Sequence, residues 1–206
     1  KKVLVTGAGG SIGSELVKQC LGFDPSLLIL LDQSENNLFH VENECIKMGD
    51  NVGIQSVLAD IRDKKITNTI FNSFRPDVVL HAAAHKHVPM QEQNPWEAVH
   101  TNIQGTINLV DACETFSVER FVLVSTDKAV NPTNIMGATK RVAEQVIQAR
   151  SINTRVKYMA VRFGNVIGSS GSVIPTFQEQ IKNGGPLTIT DPNIKRYFMS
   201  IPEAAQ

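Results

Sequence analysis

The sequence predicts an α/β fold, a doubly wound parallel sheet with helices on both faces. Three observations lead there. Short apolar runs recur along the chain without polar alternation, the pattern of strands buried on both sides. Longer stretches of helical periodicity separate them, which builds βαβ units rather than hairpins. The 206 residues are enough for one good-sized core and require no internal boundary in an α/β chain.

Taken in order, the strand-like runs are Lys2–Thr6, Leu27–Leu31, Ile54–Leu58, Val78–His81, Phe121–Ser125 and Lys157–Val161. Helices are expected near 12–21, 34–48, 63–73, 95–116 and 134–150. Right-handed crossovers then put ligands at the carboxyl ends of the strands, near the point where strand order reverses. After Gly164 the pattern loosens into Gly/Ser/Pro-rich sequence, with a helix near 173–183 and short segments at Leu187–Thr190 and Arg196–Ser200. Ile201–Gln206 reads as the first turn of an unfinished helix, so residues 164–206 are expected to be the start of a small C-terminal substrate-binding region following a domain at 1–163.

The composition narrows the function. Twenty basic and twenty acidic side chains cancel, so nothing favours nucleic acid or an anionic membrane surface, and a specific pocket must carry the activity. No apolar run approaches the ~20 residues that span a bilayer, and no signal peptide is expected before the first strand. Cys20, Cys45 and Cys113 are dispersed among helical stretches with no CxxC pair, and are expected in the core of a protein from a reducing, cytoplasmic setting.

Directly after the first strand comes Thr6-Gly7-Ala8-Gly9-Gly10-Ser11-Ile12-Gly13, opening a helix. Gly7, Gly10 and Gly13 keep the spacing that permits a tight turn, backbone approach to a pyrophosphate and close helix–strand packing. Ser11 and Ile12 would offer first-turn N–H groups to the phosphates. A bare βα turn is the bland alternative, but the strand before and the helix after supply the context a dinucleotide site needs. Asp32 ends the second strand, where a carboxylate binds the adenosine ribose diol, and Ser34 lies beside it. That charge opposes a 2′-phosphate, and no Arg or Lys stands between Asp32 and Lys47 to attract one, so NAD is expected rather than NADP. Asp60 and Ile61 follow the third strand; they would hold an adenine, or Asp60 would cap the next helix.

The fifth strand runs into Ser125-Thr126-Asp127-Lys128. Here the sequence resembles the extended short-chain dehydrogenase/reductases acting on nucleotide sugars, and more narrowly the UDP-N-acetylglucosamine 4,6-dehydratases of bacterial polysaccharide biosynthesis. The resemblance spans the chain and rests on TGAGGSIGSE (6–15), HAAAHKHVP (81–89), STDKAVNPTNIMGATK (125–140), RFGNVIGSSGSVIP (162–175) and RYFMSIPEA (196–204). It departs at one position: the superfamily's YxxxK pair stands here as Met136-x-x-x-Lys140, and a thioether handles no proton. That replacement is similar to one branch of these dehydratases, membrane-anchored proteins in which such a domain follows transmembrane helices. By that resemblance this stretch faces the cytoplasm, makes no membrane contact of its own, and a homo-oligomer is expected.

The resemblance implies a Rossmann fold, bound NAD and a UDP-sugar substrate. It also implies a reaction: oxidation at C4, loss of the C5 proton, departure of the C6 hydroxyl as water, and return of hydride to C6. Asp127 would be the acid, Lys128 the base and Thr126 the contact to the C4 hydroxyl. Lys140 would bind the nicotinamide ribose, with Ala82, Ala83 and Ala84 leaving room for the cofactor; a surface helix Lys is the alternative. Lys128 would then need burial and the nearby charge of Lys140 to lose its proton from ~10.4, and Asp127 a poorly solvated pocket to keep one above ~3.9.

Lys86 and His87 are expected to face the substrate; the resemblance implies that Asn165, at the end of strand six, and Val173 hold the nucleotide sugar, and Arg196 is a candidate for its diphosphate. An ion pair with a nearby acid is the alternative for Arg196. His81, His85 and His87 lack an acidic partner in sequence, so no metal is expected, and His81 is placed in the core. Asn102 is expected to bond backbone of a neighbouring strand, and Trp96 to pack at a helix start capped by Asn94. Two other functions stay open. A 4-epimerase would return hydride to C4 and need no acid/base pair for C5 and C6. A non-catalytic NAD-binding module would make sense of Met136.

Overall fold

The computed structural model describes residues 1–48, 52–169, 171–189, 191–193 and 195–206. Strands β1 (Lys2–Thr6), β2 (Leu27–Asp32), β3 (Ile54–Leu58), β4 (Val78–His81), β5 (Arg120–Val124) and β6 (Lys157–Val161) form one sheet in the order β3-β2-β1-β4-β5-β6. Every pairing in it is parallel. Helices α1 (Ser11–Leu21), α2 (Glu35–Met48), α3 (Lys64–Phe74), α4 (Val88–Gln93), α5 (Pro95–Ala98), α6 (Gly105–Thr115) and α7 (Ile135–Arg150) lie between the strands.

Alternation along the central strands explains both layers. Val5, Leu28 and Leu30 point into a core shared with Val17 and Leu21 of α1 and Leu38, Val41 and Cys45 of α2. Leu4, Ile29 and Leu31 point the other way, to Ile70 and Phe71 of α3, Leu109 and Cys113 of α6, and Ala143 and Ile147 of α7. Burial on both faces gives way at the rims, where β3 and β6 each lack a neighbour and Leu58 and Val161 are exposed. Of the three cysteines, Cys45 and Cys113 are buried as expected, while Cys20 is only partly so.

Three sequence expectations need correction here. The single helix at 95–116 is broken: Val99–Gln104 is a π-helix between α5 and α6. The wider turn rotates Thr101 and Asn102 inward, and π segments of this kind are frequent at functional sites. Trp96 does not pack at the helix start but is 73% exposed, and the Asn94 side chain donates to the Met90 carbonyl instead of capping. Asn165 does not end β6. It opens β7 (Asn165–Val166), which pairs in parallel with β8 (Phe198–Met199) in a separate two-stranded sheet.

Helix α8 (Val173–Lys182) follows β7 closely as expected, and Leu187–Ile189 form no regular element; Thr190 lies outside the described residues. The short α9 (Ile201–Ala205) is closed by a Ser200/Glu203 capping box and packs against α1. No helix among the described residues is long and apolar enough to cross a membrane.

Candidate active site

Strand order reverses between β1 and β4, and a cleft opens over their carboxyl ends. Gly7, with φ +68°, makes the turn out of β1; a Cβ there would come 2.6 Å from the Ala83 amide nitrogen. A Cβ on Gly13 would come 1.9 Å from the Gly7 carbonyl oxygen, so only glycine lets α1 start against the loop. The cleft encloses about 140 Å³. Of the residues expected at a dinucleotide, Gly7, Gly10, Asp32, Asp60, Ile61 and Ala82 through Ala84 line it. Ser11, Ile12, Gly13, Ser34 and Lys140 do not line it directly.

The Asp32 carboxylate accepts from the Gly9 amide (2.9 Å) and the Ser34 amide (2.8 Å), which locks it at the end of β2 facing the cleft. Asp60 accepts from the backbone and side chain of Arg62, and Arg62 in turn reaches Glu97. Burial raises the Asp60 pKa, but the Arg62 hydrogen bonds outweigh it and hold the group below the usual carboxylate range. Asp60 does not cap α3; Asp63 does, accepting from the Ile66 amide.

His81 is fully buried beneath the cleft. Thr106 Oγ1 donates to the Asn102 carbonyl (2.7 Å), so it accepts from His81 Nε2–H (3.0 Å), and Nδ1 accepts from Thr6 Oγ1 (2.7 Å). The imidazole is therefore neutral, its pKa pushed down to about 3 by burial and by the charge of Lys140. Asn102 grips backbone as expected, but in the loop after β4 rather than in a strand: it accepts from His85 N and donates to His85 O and Thr139 Oγ1.

Six cleft residues were not expected there: Leu31, Gln33, Asn37, Ala59, His85 and Thr101. Only Thr101 carried a signal, a polar residue in the buried stripe of a helix. Its hydroxyl is buried with no hydrogen-bond partner among the described residues. Lys140 is 5% exposed, which rules out the surface alternative, and has neither hydrogen bond nor ion pair among the described residues. Burial brings its pKa down to about 8, against a raising pull from Glu144. An orphaned hydroxyl in the cleft and, behind its lining, a buried ammonium that makes no ion pair fit a polar, hydroxyl-bearing ligand.

At the carboxyl end of β5 the chain makes a 3-10 turn, Asp127–Ala129. Thr126 Oγ1 donates to Asp127 Oδ1 (3.0 Å), and Lys128 Nζ donates to Asp127 Oδ1 and to Asn165 Oδ1 (3.1 Å each). Gly137, one residue past Met136, lets α7 seat against the Lys128 carbonyl; a Cβ there would come 2.3 Å from that oxygen. The surroundings differ from those expected. Lys128 is 31% exposed and ion-paired rather than stripped of solvent. Burial raises the Asp127 pKa, but hydrogen bonds from Lys128 and Thr126 prevail and hold it below the ordinary value. Met136 is buried.

The outer residues are less assembled. Lys86 and His87 are exposed, with the His87 imidazole lying over Gly171 in the loop that leads to α8. Burial of its surroundings lowers the Lys86 pKa. Val173 is exposed at the start of α8, and Arg196 donates only to the Lys195 carbonyl, with no acidic partner among the described residues. Glu144 and Arg162, which tie the ends of β5 and β6 to α7, also went unnoticed in the sequence.

A parallel sheet in 3-2-1-4-5-6 order, with a glycine turn and an acidic β2 terminus at its switch point, defines a Rossmann-fold protein. The chain belongs to the family described as Polysaccharide biosynthesis protein, which it matches over residues 3–206. It is 51% identical to the capsular polysaccharide biosynthesis protein CapD of Staphylococcus aureus, covering 100% of this chain and 35% of that protein. It is 35% identical to a UDP-N-acetylglucosamine 4,6-dehydratase (inverting) of Campylobacter jejuni, covering 100% of this chain and 61% of the relative. It is also 36% identical to the UDP-glucose 4-epimerase of Rickettsia canadensis, covering 99% and 60%. The chain thus spans between about a third and three fifths of these relatives' lengths.

Among solved structures, Pen from Bacillus thuringiensis superposes with a TM-score of 0.92 at 37% identity, over 100% of this chain and 65% of that one. DesIV, a dTDP-glucose 4,6-dehydratase from Streptomyces venezuelae solved with NAD bound, superposes with a TM-score of 0.87 at 25% identity, over 100% and 70%.

Proposed function

We propose that this chain is the NAD-binding, catalytic part of a nucleotide-sugar 4,6-dehydratase that converts UDP-N-acetylglucosamine to a UDP-4-keto-6-deoxy sugar in polysaccharide biosynthesis. The observation that carries it is the Thr126–Asp127–Lys128–Asn165 cluster, set at the end of β5 against the helix that bears Lys140. Asp32 would hold the adenosine ribose and Ile61 the adenine. The first turn of α1 would hold the pyrophosphate, and Lys140 the nicotinamide ribose. Bound NAD supplies the hydride acceptor at C4 and the donor at C6.

The chain's own residues would move the protons. The Asp127 carboxylate, held ionised by its neighbours, starts as an acceptor. The C4 hydroxyl proton passes to Thr126 Oγ1, whose own proton goes to Asp127 along their 3.0 Å hydrogen bond. Lys128, an ammonium where it donates to Asp127 and Asn165, would first release a proton to solvent. As the amine it would take the C5 proton, made acidic by the C4 ketone; Asp127 then protonates the C6 hydroxyl, which leaves as water, and Lys128 returns a proton to C5 as hydride reaches C6. The lowered pKa of Asp127 therefore fits a group that is base first and acid second, and no Tyr is required at position 136. Asn165 would orient the Lys128 amine, while Lys86, His87, Val173 and Arg196 would line the sugar-nucleotide side. Residues 1–163 form the cofactor part in this reading, and 164–206 begin the substrate part.

A relative named UDP-glucose 4-epimerase favours a second reading, reversible oxidation at C4 alone. Incubating the protein with UDP-N-acetylglucosamine and weighing the product separates the two. A dehydratase yields a product lighter by one water, an epimerase one of unchanged mass, and a non-catalytic module no product.

A further inference from the structure

Lys140 and Glu144 sit at i and i+4 on α7, the spacing at which opposite charges meet on a helix, and both are buried. They do not pair. A carboxylate has about four acceptor positions, and in Glu144 all four are taken. Oε1 accepts from Ser125 Oγ (2.6 Å) and Arg162 Nε (2.7 Å), and Oε2 from Arg162 Nη2 (2.5 Å) and Arg141 Nη1 (3.2 Å). Arg162 supplies two of the four in a fork, and Arg141 is the most distant donor. The nearest anion is thus saturated, and the Lys140 ammonium is left without a partner in a buried place.

We propose that Arg162 is a positioning residue whose task is to occupy Glu144, so that the Lys140 ammonium stays free for the ligand of the cleft. The inference rests on the reading of Lys140 as a ribose contact. Without Arg162, a buried carboxylate one helical turn away would regain two acceptor positions, and the ammonium would swing to it. Lys140 would then be withdrawn from the ligand by its own helix neighbour. Removing the Glu144 charge as well would release Lys140 again. Removing both charges of a buried pair also relieves structural damage, so a merely structural Arg162 is told apart in a Lys140→Met background: there Arg162→Met would still weaken NAD, although no ammonium remains to swing to Glu144.

The test is NAD binding by calorimetry on the full chain, with circular dichroism confirming each fold. Arg162→Met should weaken NAD about tenfold, corresponding to ~1.4 kcal/mol. Arg162→Met with Glu144→Gln should return to within about threefold of wild type, the coupling of a double-mutant cycle. Should Arg162→Met fail to fold, Arg162→Lys keeps a cation without the fork and should show a smaller loss, restored by the same Glu144→Gln change. A double variant that binds no better than the single one, or a single variant that binds as wild type, overturns the inference. Lys140→Met is the control for the underlying reading: if it binds NAD as tightly as wild type, the ribose assignment of Lys140 fails, and not the clamp alone.

Discussion

Acid should destabilise this protein through His81, by an amount set by its burial and by the charge of Lys140. The imidazole is buried between Thr6 and Thr106 with both nitrogens committed, one as acceptor. A second proton would destroy the Thr6 bond and place a charge beside the Lys140 ammonium. In the unfolded chain the same ring takes its proton near 6.5, whereas folding depresses that to about 3. The folded state therefore binds fewer protons, so the stability is full above pH 6.5 and is lost as pH falls toward 3. Each unit in that window removes ~1.4 kcal/mol, or roughly 3 kcal/mol by pH 4, a large share of the ~5–15 kcal/mol that holds a typical domain. Urea-unfolding midpoints from pH 7 to 4.5, converted with a common m-value, measure it against His81→Gln, which cannot titrate. Carboxylates such as Glu144, whose pKa is pulled down to about 2 chiefly by Arg162, also lose stability on acidification, but they do so in both proteins and subtract out. The wild type should fall more steeply by close to one proton. Parallel curves for the two proteins would refute the neutral buried imidazole.

Four further outcomes are expected. Asp32→Ala should narrow the preference for NAD over NADP about tenfold in calorimetry, since one charge-assisted bond is removed with the charge that repels a 2′-phosphate; an unchanged ratio would show that Asp32 does not read the ribose. Lys128→Ala should stop solvent deuterium from entering C5 of the sugar while NAD still binds, and exchange at the wild-type rate would move the base elsewhere. Thr126→Val should slow turnover by ~10²–10⁴, the usual worth of general acid–base help, while Met136→Leu keeps an apolar side chain of similar size and should be far milder; the reverse order would end the proposed proton route. Gly13→Ala should cost ~1–3 kcal/mol or more in thermal unfolding, because its Cβ would strike the Gly7 carbonyl at 1.9 Å. Gly22→Ala, whose nearest neighbour is 3.5 Å away at φ −65°, is the matched control and should be neutral or better.

The alternation of apolar runs and helices was legible because burial on both faces of a parallel sheet demands it residue by residue. Local requirements were legible for the same reason: Gly7 and Gly13 stand where a Cβ would collide, and Asp32 stands where β2 ends. Even so, the sequence could not show that residues 99–104 form a π turn. That turn depends on Thr106 meeting His81, 25 residues earlier in the chain, and on Asn102 reaching His85 and Thr139. Nor could it show the state of Asp127 and Lys128. Their motif named them, but at Asp127 burial is outweighed by hydrogen bonds from Lys128 and Thr126, and Lys128 is also held by Asn165, 37 residues beyond it. Glu144 and Arg162 were invisible for a related reason: a charged residue at helical spacing looks like solvated surface until folding encloses it among strand ends. Local sterics and periodicity act within a few residues and are written in the chain, whereas pKa values, orphaned groups and charge partners arise from desolvation and long-range contact. Those only the tertiary structure decided.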